Sequence, residues 1–160
     1  MNDSGRVEWI HIAESAGAPM RAVDRVRAIA GGGLEGDRYQ TSSGHWSAIR
    51  RSGDRLTLVE AEEVESVAAA GGLDLPPGAV RRNLTTRGVR LDDLIGRRFR
   101  IGEVECRGVR RCEPCSYLDG LLGQEVLAVL VHRGGIRADI LSDGEIAVGD
   151  EIEVLTEHEG

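Results

Sequence analysis

Apolar and polar residues alternate along several short stretches of the chain, the period of a strand buried on one face. The first is Arg6-Val7-Glu8-Trp9-Ile10-His11-Ile12-Ala13, rich in β-branched and aromatic side chains. A turn at Gly17-Ala18-Pro19-Met20 follows, and Val23 to Ile29 predicts a second strand. Arg55–Val59, Arg98–Ile101, Val104–Cys106, Ile136–Leu141, Glu145–Val148 and Glu151–Val154 continue the pattern. Ser142-Asp143-Gly144 and Gly149-Asp150 supply turn chemistry between the last three. Helical signals are fewer. Glu60 to Ala70 carries carboxylates in its first turns, where the helix dipole favours them, and Gly71-Gly72 stops it. Leu91 to Ile95 reads as a short helical turn, and the apolar set from Leu118 to Val131 as a short buried helix ending at Gly134-Gly135. Six or seven short strands with few helices predict a mostly β fold, a closed or partly open β-barrel with a few short helices.

Two stretches break the pattern. Gly31 to Arg38 is glycine-rich, and from there to Asp54 the chain is dominated by Ser, Gly and Arg. So long a loop in a compact domain is functional or mobile. Pro76-Pro77-Gly78 forms a rigid turn that leads into Arg81-Arg82-Asn83-Leu84-Thr85-Thr86. No repeat or linker divides the 160 residues, so one domain is expected over 6–155, with flexible termini at 1–5 and 156–160.

Composition narrows the function. The formal net charge is -7, and Trp9, Tyr39, Trp46, Phe99 and Tyr117 are the only aromatics. The basic stripe and stacking platforms of nucleic-acid binding are therefore missing. No apolar run approaches the roughly 18 residues of a membrane span. The stretch Met1–Arg6 has no basic region leading into an apolar one, and three cysteines in a non-secretory context fit reduced thiols, so a cytoplasmic protein is expected. All 20 basic residues are Arg. Without Lys the chain can form no pyridoxal phosphate Schiff base and no Walker A phosphate loop.

The sharpest chemical feature is Cys112-Glu113-Pro114-Cys115 behind Arg110-Arg111. A thiolate is the nucleophile and soft-metal ligand, and neighbouring cations favour its charged form. A thioredoxin-type dithiol fits poorly this late in the chain. A zinc site would need a fourth ligand beside Cys106, Cys112 and Cys115, and only the distant His132 offers one. Alternation places Cys106 with Val104, on the core face. Arg81 and Asn83 form a second constellation, since Arg forks pair with phosphate and an Asn amide can both donate to and accept from a polar heterocycle. Gly36-Asp37-Arg38 and Arg133-Gly134-Gly135 combine a Gly, which lets backbone approach a ligand, with an anion-clamping Arg. Of the histidines, His11 within its strand reads as a satisfied structural residue. His158 lies in the acidic tail, and His45 lies in the long loop without an evident partner.

Four of these motifs in one order resemble a known family. Gly33-Leu-Glu-Gly-Asp-Arg38, Arg81-Arg-Asn-Leu84, Ile101-Gly-Glu-Val104 leading to Cys112-Glu-Pro-Cys115, and Gly144-Glu-Ile-Ala-Val-Gly-Asp150 are similar to a MOSC domain, the module named for the C-terminal part of molybdenum cofactor sulfurases. The similarity spans about Arg6 to Leu155. It implies a β-barrel of the pyruvate kinase barrel type and, as ligand, the molybdenum cofactor, a pterin dithiolene bearing a phosphate. It implies Cys115 as the molybdenum ligand, with Cys112 beside it. Arg81 and Asn83 match the family's cofactor-binding pair, and by their own chemistry Asp37, Arg38, Arg111 and Arg133 are expected as further cofactor contacts. The extra N-terminal β-domain of the amidoxime reductases and the pyridoxal phosphate domain of the sulfurases have no counterpart, so a stand-alone member is expected.

Three functions stay open at this point. The first is a molybdenum-dependent oxidoreductase that reduces N-hydroxylated compounds. Its electrons would come from a separate protein, because no haem, flavin or nicotinamide fingerprint is present. The second is a sulfur-carrier or cofactor-delivery module in which Cys115 holds a persulfide, Cys112 resolves it, and another protein donates the sulfur. The third is a non-catalytic binding barrel. None calls for nucleic acid or membrane.

Overall fold

The computed structural model describes residues 5–13, 19–37, 56–71, 82–111 and 135–155. The strands are β1 (Gly5–Ile12), β2 (Arg21–Val23), β3 (Arg25–Ile29), β4 (Gly33–Leu34), β5 (Leu56–Glu60), β6 (Leu84–Arg87), β7 (Arg98–Ile101), β8 (Val104–Arg111), β9 (Ile136–Ile140), β10 (Gly144–Ala147) and β11 (Glu151–Val154). One α-helix among the described residues, α1 (Ala61–Gly71), follows β5, and a 3₁₀ turn spans Leu91–Leu94.

Seven strands close into a barrel in the order β11-β7-β8-β9-β5-β6-β1, with β1 returning to pair β11. The edge of β1 that meets β11 at Gly5 and Arg6 meets β2 at Ile10 to Ile12. The pairings are antiparallel except β5 with β6, which are parallel and joined through α1, the crossover that parallel strands require. A second sheet, β10-β3-β4, supplies Val26, Ala28, Leu34 and Ile146 to the same core.

Alternation explains the barrel's interior. Ile136, Ala138 and Ile140 of β9, Leu56 and Leu58 of β5, Leu84 of β6 and Ile10 and Ile12 of β1 all point inward. They meet Phe99, Ile101, Val104 and Cys106 of β7 and β8. Two glycines admit close crossings. A Cβ on Gly108 would overlap the carbonyl oxygen of Leu94, which lets the 3₁₀ turn run against β8. Gly135 has φ +95°, and a Cβ there would overlap the Leu58 carbonyl, so only Gly fits where the chain enters β9 beside β5.

The predicted barrel is present, with several elements drawn differently. The single strand expected over Val23–Ile29 is two, divided at the bend of Asp24, whose carbonyl accepts the Val148 N–H. The two halves join different sheets. β8 continues beyond Cys106 to Arg111, with a bulge between Gly108 and Arg110 that conceals its period. The residues from Leu84 form a barrel strand that the sequence pattern does not announce. The helix expected over Leu118–Val131 and most of the long loop before Asp54 lie outside the described residues.

Candidate functional site

The outward face of the barrel carries a line of polar side chains perpendicular to the strands. Arg110 of β8 stands opposite Arg137 of β9, and Arg137 opposite Thr57 of β5. Thr57 is bonded to Asn83, and Asn83 to His11 of β1. Their chain neighbours Ile136, Leu58, Leu84 and Ile10 point into the core, so these side chains point away from it. Arg110, Arg137, Thr57 and His11 each lie one residue from an end of their strand, and Asn83 immediately precedes β6. The chain continues from these ends into the segments that carry Cys112, Cys115, Arg81, Arg38 and Arg133.

An outward polar face is ordinarily wet. Here Thr57 and Asn83 have no exposure and His11 only 3%. Neutral polar groups are tolerated in such burial when they bond one another. Asn83 Oδ1 accepts from the Thr57 N–H at 3.1 Å and from the Thr57 hydroxyl at 3.2 Å. The Asn83 N–H donates to Thr57 Oγ1 at 2.9 Å. Asn83 Nδ2 donates to the His11 carbonyl at 3.2 Å, and the His11 N–H donates to the Asn83 carbonyl at 2.7 Å. Asn83 therefore locks β5 and β1 together ahead of β6.

His11 is the exception in this network. Its ring stacks on Trp9 with centroids 5.7 Å apart and planes 19° from parallel. Its Nδ1 is buried and has no hydrogen-bond partner among the described residues. The expectation of a satisfied structural histidine is thus wrong for this atom. An orphaned buried polar atom costs about 1–3 kcal/mol. Burial also holds the imidazole below its ordinary pKa, so the ring is neutral at pH 7.

The remaining expected site residues fall into two groups. Asp37 is fully buried, and its Oδ1 accepts the Ala13 N–H at 3.0 Å, pinning the turn after β4 to the end of β1. Arg111 pairs with Asp92 at 3.1 Å. Arg82, next to Arg81, is buried. Cys112, Cys115, Arg81, Arg38 and Arg133, together with His45, His132 and His158, lie outside the described residues. Cys106 is fully buried opposite Phe99 and Ile140, and burial pushes its thiol pKa up, so it behaves as core. Among the described residues no group of three His, Cys, Asp or Glu could hold a metal. No helix among them is long and apolar enough to cross a membrane. Sequence reasoning overlooked Thr57 and Arg137, and the alternation of β5 and β9 was the signal that places both on the outer face.

A charged cluster lies at the start of α1. A cavity of about 230 Å³ is lined by Glu60, Glu62, Glu63, Gly88, Val89 and Arg90. Glu60 Oε2 accepts the Leu91 N–H at 2.9 Å, with the Arg90 guanidinium 3.6 Å away. Desolvation nonetheless raises the Glu60 pKa, with the Leu91 N–H and Arg90 opposing it. Glu62 accepts the Gly88 N–H at 2.8 Å, and Arg87 bridges Glu8 and Glu65.

The chain belongs to the MOSC domain family, whose model matches residues 47–153. MOSC domains are known to bind the molybdenum cofactor. Among solved structures it is similar to the YuaD protein of Bacillus subtilis, with 20% identity, 94% of this chain and 95% of that one covered, and a TM-score of 0.76. YiiM of Geobacillus stearothermophilus is similar at 15% identity over 98% of this chain and 77% of that one, with a TM-score of 0.74. YiiM of Escherichia coli is similar at 19% identity over 95% and 70%, with a TM-score of 0.67. At these identities the shared property is the fold. No curated protein sequence matches the chain significantly.

Proposed function

We propose that this protein binds the molybdenum cofactor over the outward polar row of the barrel and acts in the cytoplasm as a small oxidoreductase toward N-hydroxylated compounds. Beyond family membership, the observation that carries this reading is the polar row itself, buried at Thr57, Asn83 and His11 and half-buried at Arg137 and Arg110. It presents guanidiniums toward β8 and β9 and a neutral, incompletely bonded group at β1. A pterin with a phosphate asks for these two chemistries, so the residues present fit the group. Cys115 would hold the metal and Arg81 the anionic portion, with Arg38, Arg111 and Arg133 adding charge. Cys112 would stand beside the metal thiolate. Asn83 serves by positioning His11, since its carboxamide is engaged by Thr57 and the His11 backbone. The bound cofactor supplies two-electron chemistry at molybdenum. Reducing R–NHOH to R–NH2 consumes two electrons and two protons and releases water, so a separate electron-donor protein is required.

Protein purified from a cofactor-producing host tests this. Molybdenum and pterin should co-purify near one per chain, and Cys115→Ser should lower molybdenum at least about tenfold, as loss of a metal ligand does. A wild type without either component overturns the reading. A mass increase of one sulfur on Cys115 would identify the carrier function in its place.

A further inference from the structure

We propose that His11 is a ligand-contact residue of this site, its Nδ1 hydrogen-bonding the neutral ring edge of the bound pterin. The contact presupposes that the barrel binds the cofactor at the polar row, as proposed above. Two observations and one argument lead to it. The Nδ1 atom is buried and unpartnered among the described residues, although the same residue's backbone N–H and C=O are both bonded to Asn83. The stack on Trp9 sets the plane of the ring on one side of β1. A phenylalanine would keep the stack and the burial without an orphaned nitrogen, so the nitrogen has a use that the barrel does not satisfy.

The chemistry of the partner follows from the ring's charge state. Desolvation keeps the imidazole neutral, so it offers an anion no charge. Nδ1 of a neutral imidazole donates in one tautomer and accepts in the other, and the amide-like edge of a pterin offers a partner for either. Charge lies elsewhere on the row. Arg137 stands three strand spacings away, about 14 Å at the usual separation of neighbouring strands, and Arg110 one strand further. The ligand would therefore lie across the strands, ring toward β1 and phosphate toward β9 and β8.

The experiment compares wild type with His11→Phe, both from the cofactor-producing host. Bound pterin is measured by fluorescence after oxidation and thermal midpoints are measured on cofactor-free protein. Pterin per chain should fall about tenfold, as for a lost hydrogen bond to a ligand, while the cofactor-free midpoint stays level or rises. Equal pterin in the two proteins overturns the contact and leaves cofactor binding standing. A lowered cofactor-free midpoint also overturns it, because Nδ1 then serves the fold. Wild type without pterin removes the presupposed reading and the contact with it. The ¹⁵N resonance of His11 Nδ1 in wild type gives an answer even if the variant fails to fold. It should shift between cofactor-free and loaded protein, and an unchanged resonance overturns the contact.

Discussion

Two polar clusters flank β6, and they differ in kind. At one end Asn83, Thr57 and His11 are neutral and buried, and they are joined by hydrogen bonds. At the other, Glu8, Glu60, Glu62, Glu65, Arg87 and Arg90 are charged, and most are solvated at least in part. The charged cluster is conspicuous in the sequence, yet its contacts link elements of the fold to each other. Glu62 and Glu60 fasten α1 and β5 to the Gly88–Leu91 connection, and Arg87 ties β1 to α1 through β6. The neutral cluster is inconspicuous, yet it holds a buried ring nitrogen that no described residue hydrogen-bonds. Surface ion pairs are cheap to form and cheap to lose, whereas a covered neutral polar group has to be explained.

The largest test of this contrast is Asn83→Ala. It removes the acceptor of the Thr57 N–H and hydroxyl and the donor to the His11 carbonyl, all in a fully buried place. With several groups orphaned together, the loss should be about 3 kcal/mol, read from denaturant midpoints. A loss below about 1 kcal/mol would mean that water reaches the cluster and that its burial is not maintained in solution.

How much of this is legible in the sequence depends on the element. β9 was legible because Ile136, Ala138 and Ile140 alternate without interruption, and α1 because its acidic start and glycine stop agree. β6 was not, since Leu84-Thr85-Thr86-Arg87 offers one large apolar residue, and its strand character comes from neighbours on both sides. The β8 bulge hid the register that sets Arg110 against Arg137. Asn83 reads from the sequence as a heterocycle-binding amide, but its bond to Thr57 joins residues 26 apart and has no local signature. His11 reads as a satisfied structural histidine because an unbonded atom is a property of the folded surroundings. The motifs that carry Cys112, Cys115 and Arg81 were legible as a family pattern, and their geometry lies outside the described residues.

Glu60→Gln probes the charged side, with a smaller effect. Glutamine keeps a carbonyl oxygen for the Leu91 N–H and removes the ionisation that burial opposes. Because the folded-state pKa of Glu60 is raised, its contribution to stability is fully present below the unfolded pKa and is lost as pH rises through the folded pKa. Wild type should therefore lose stability relative to Glu60→Gln as pH increases from 4.5 toward neutrality. Parallel stability curves for the two proteins over that interval would show that Arg90 and Leu91 compensate the burial fully.

The smallest effect is expected at the most eye-catching ion pairs. Arg87 bridges Glu8 and Glu65 with its own side chain 28% exposed, while Glu65 is 62% exposed. Both contacts hold the guanidinium charged, but holding a charge in place near water contributes little net stability. Arg87→Met keeps the aliphatic stem and should cost no more than about 1 kcal/mol in dilute buffer, by the behaviour of part-exposed pairs. The cost should shrink further in molar salt, where screening shortens the reach of exposed charges. Denaturant midpoints at low and high salt decide the matter. If Arg87→Met costs as much as Asn83→Ala and salt leaves that cost unchanged, the bridge is a desolvated network and the contrast between the two ends of β6 fails.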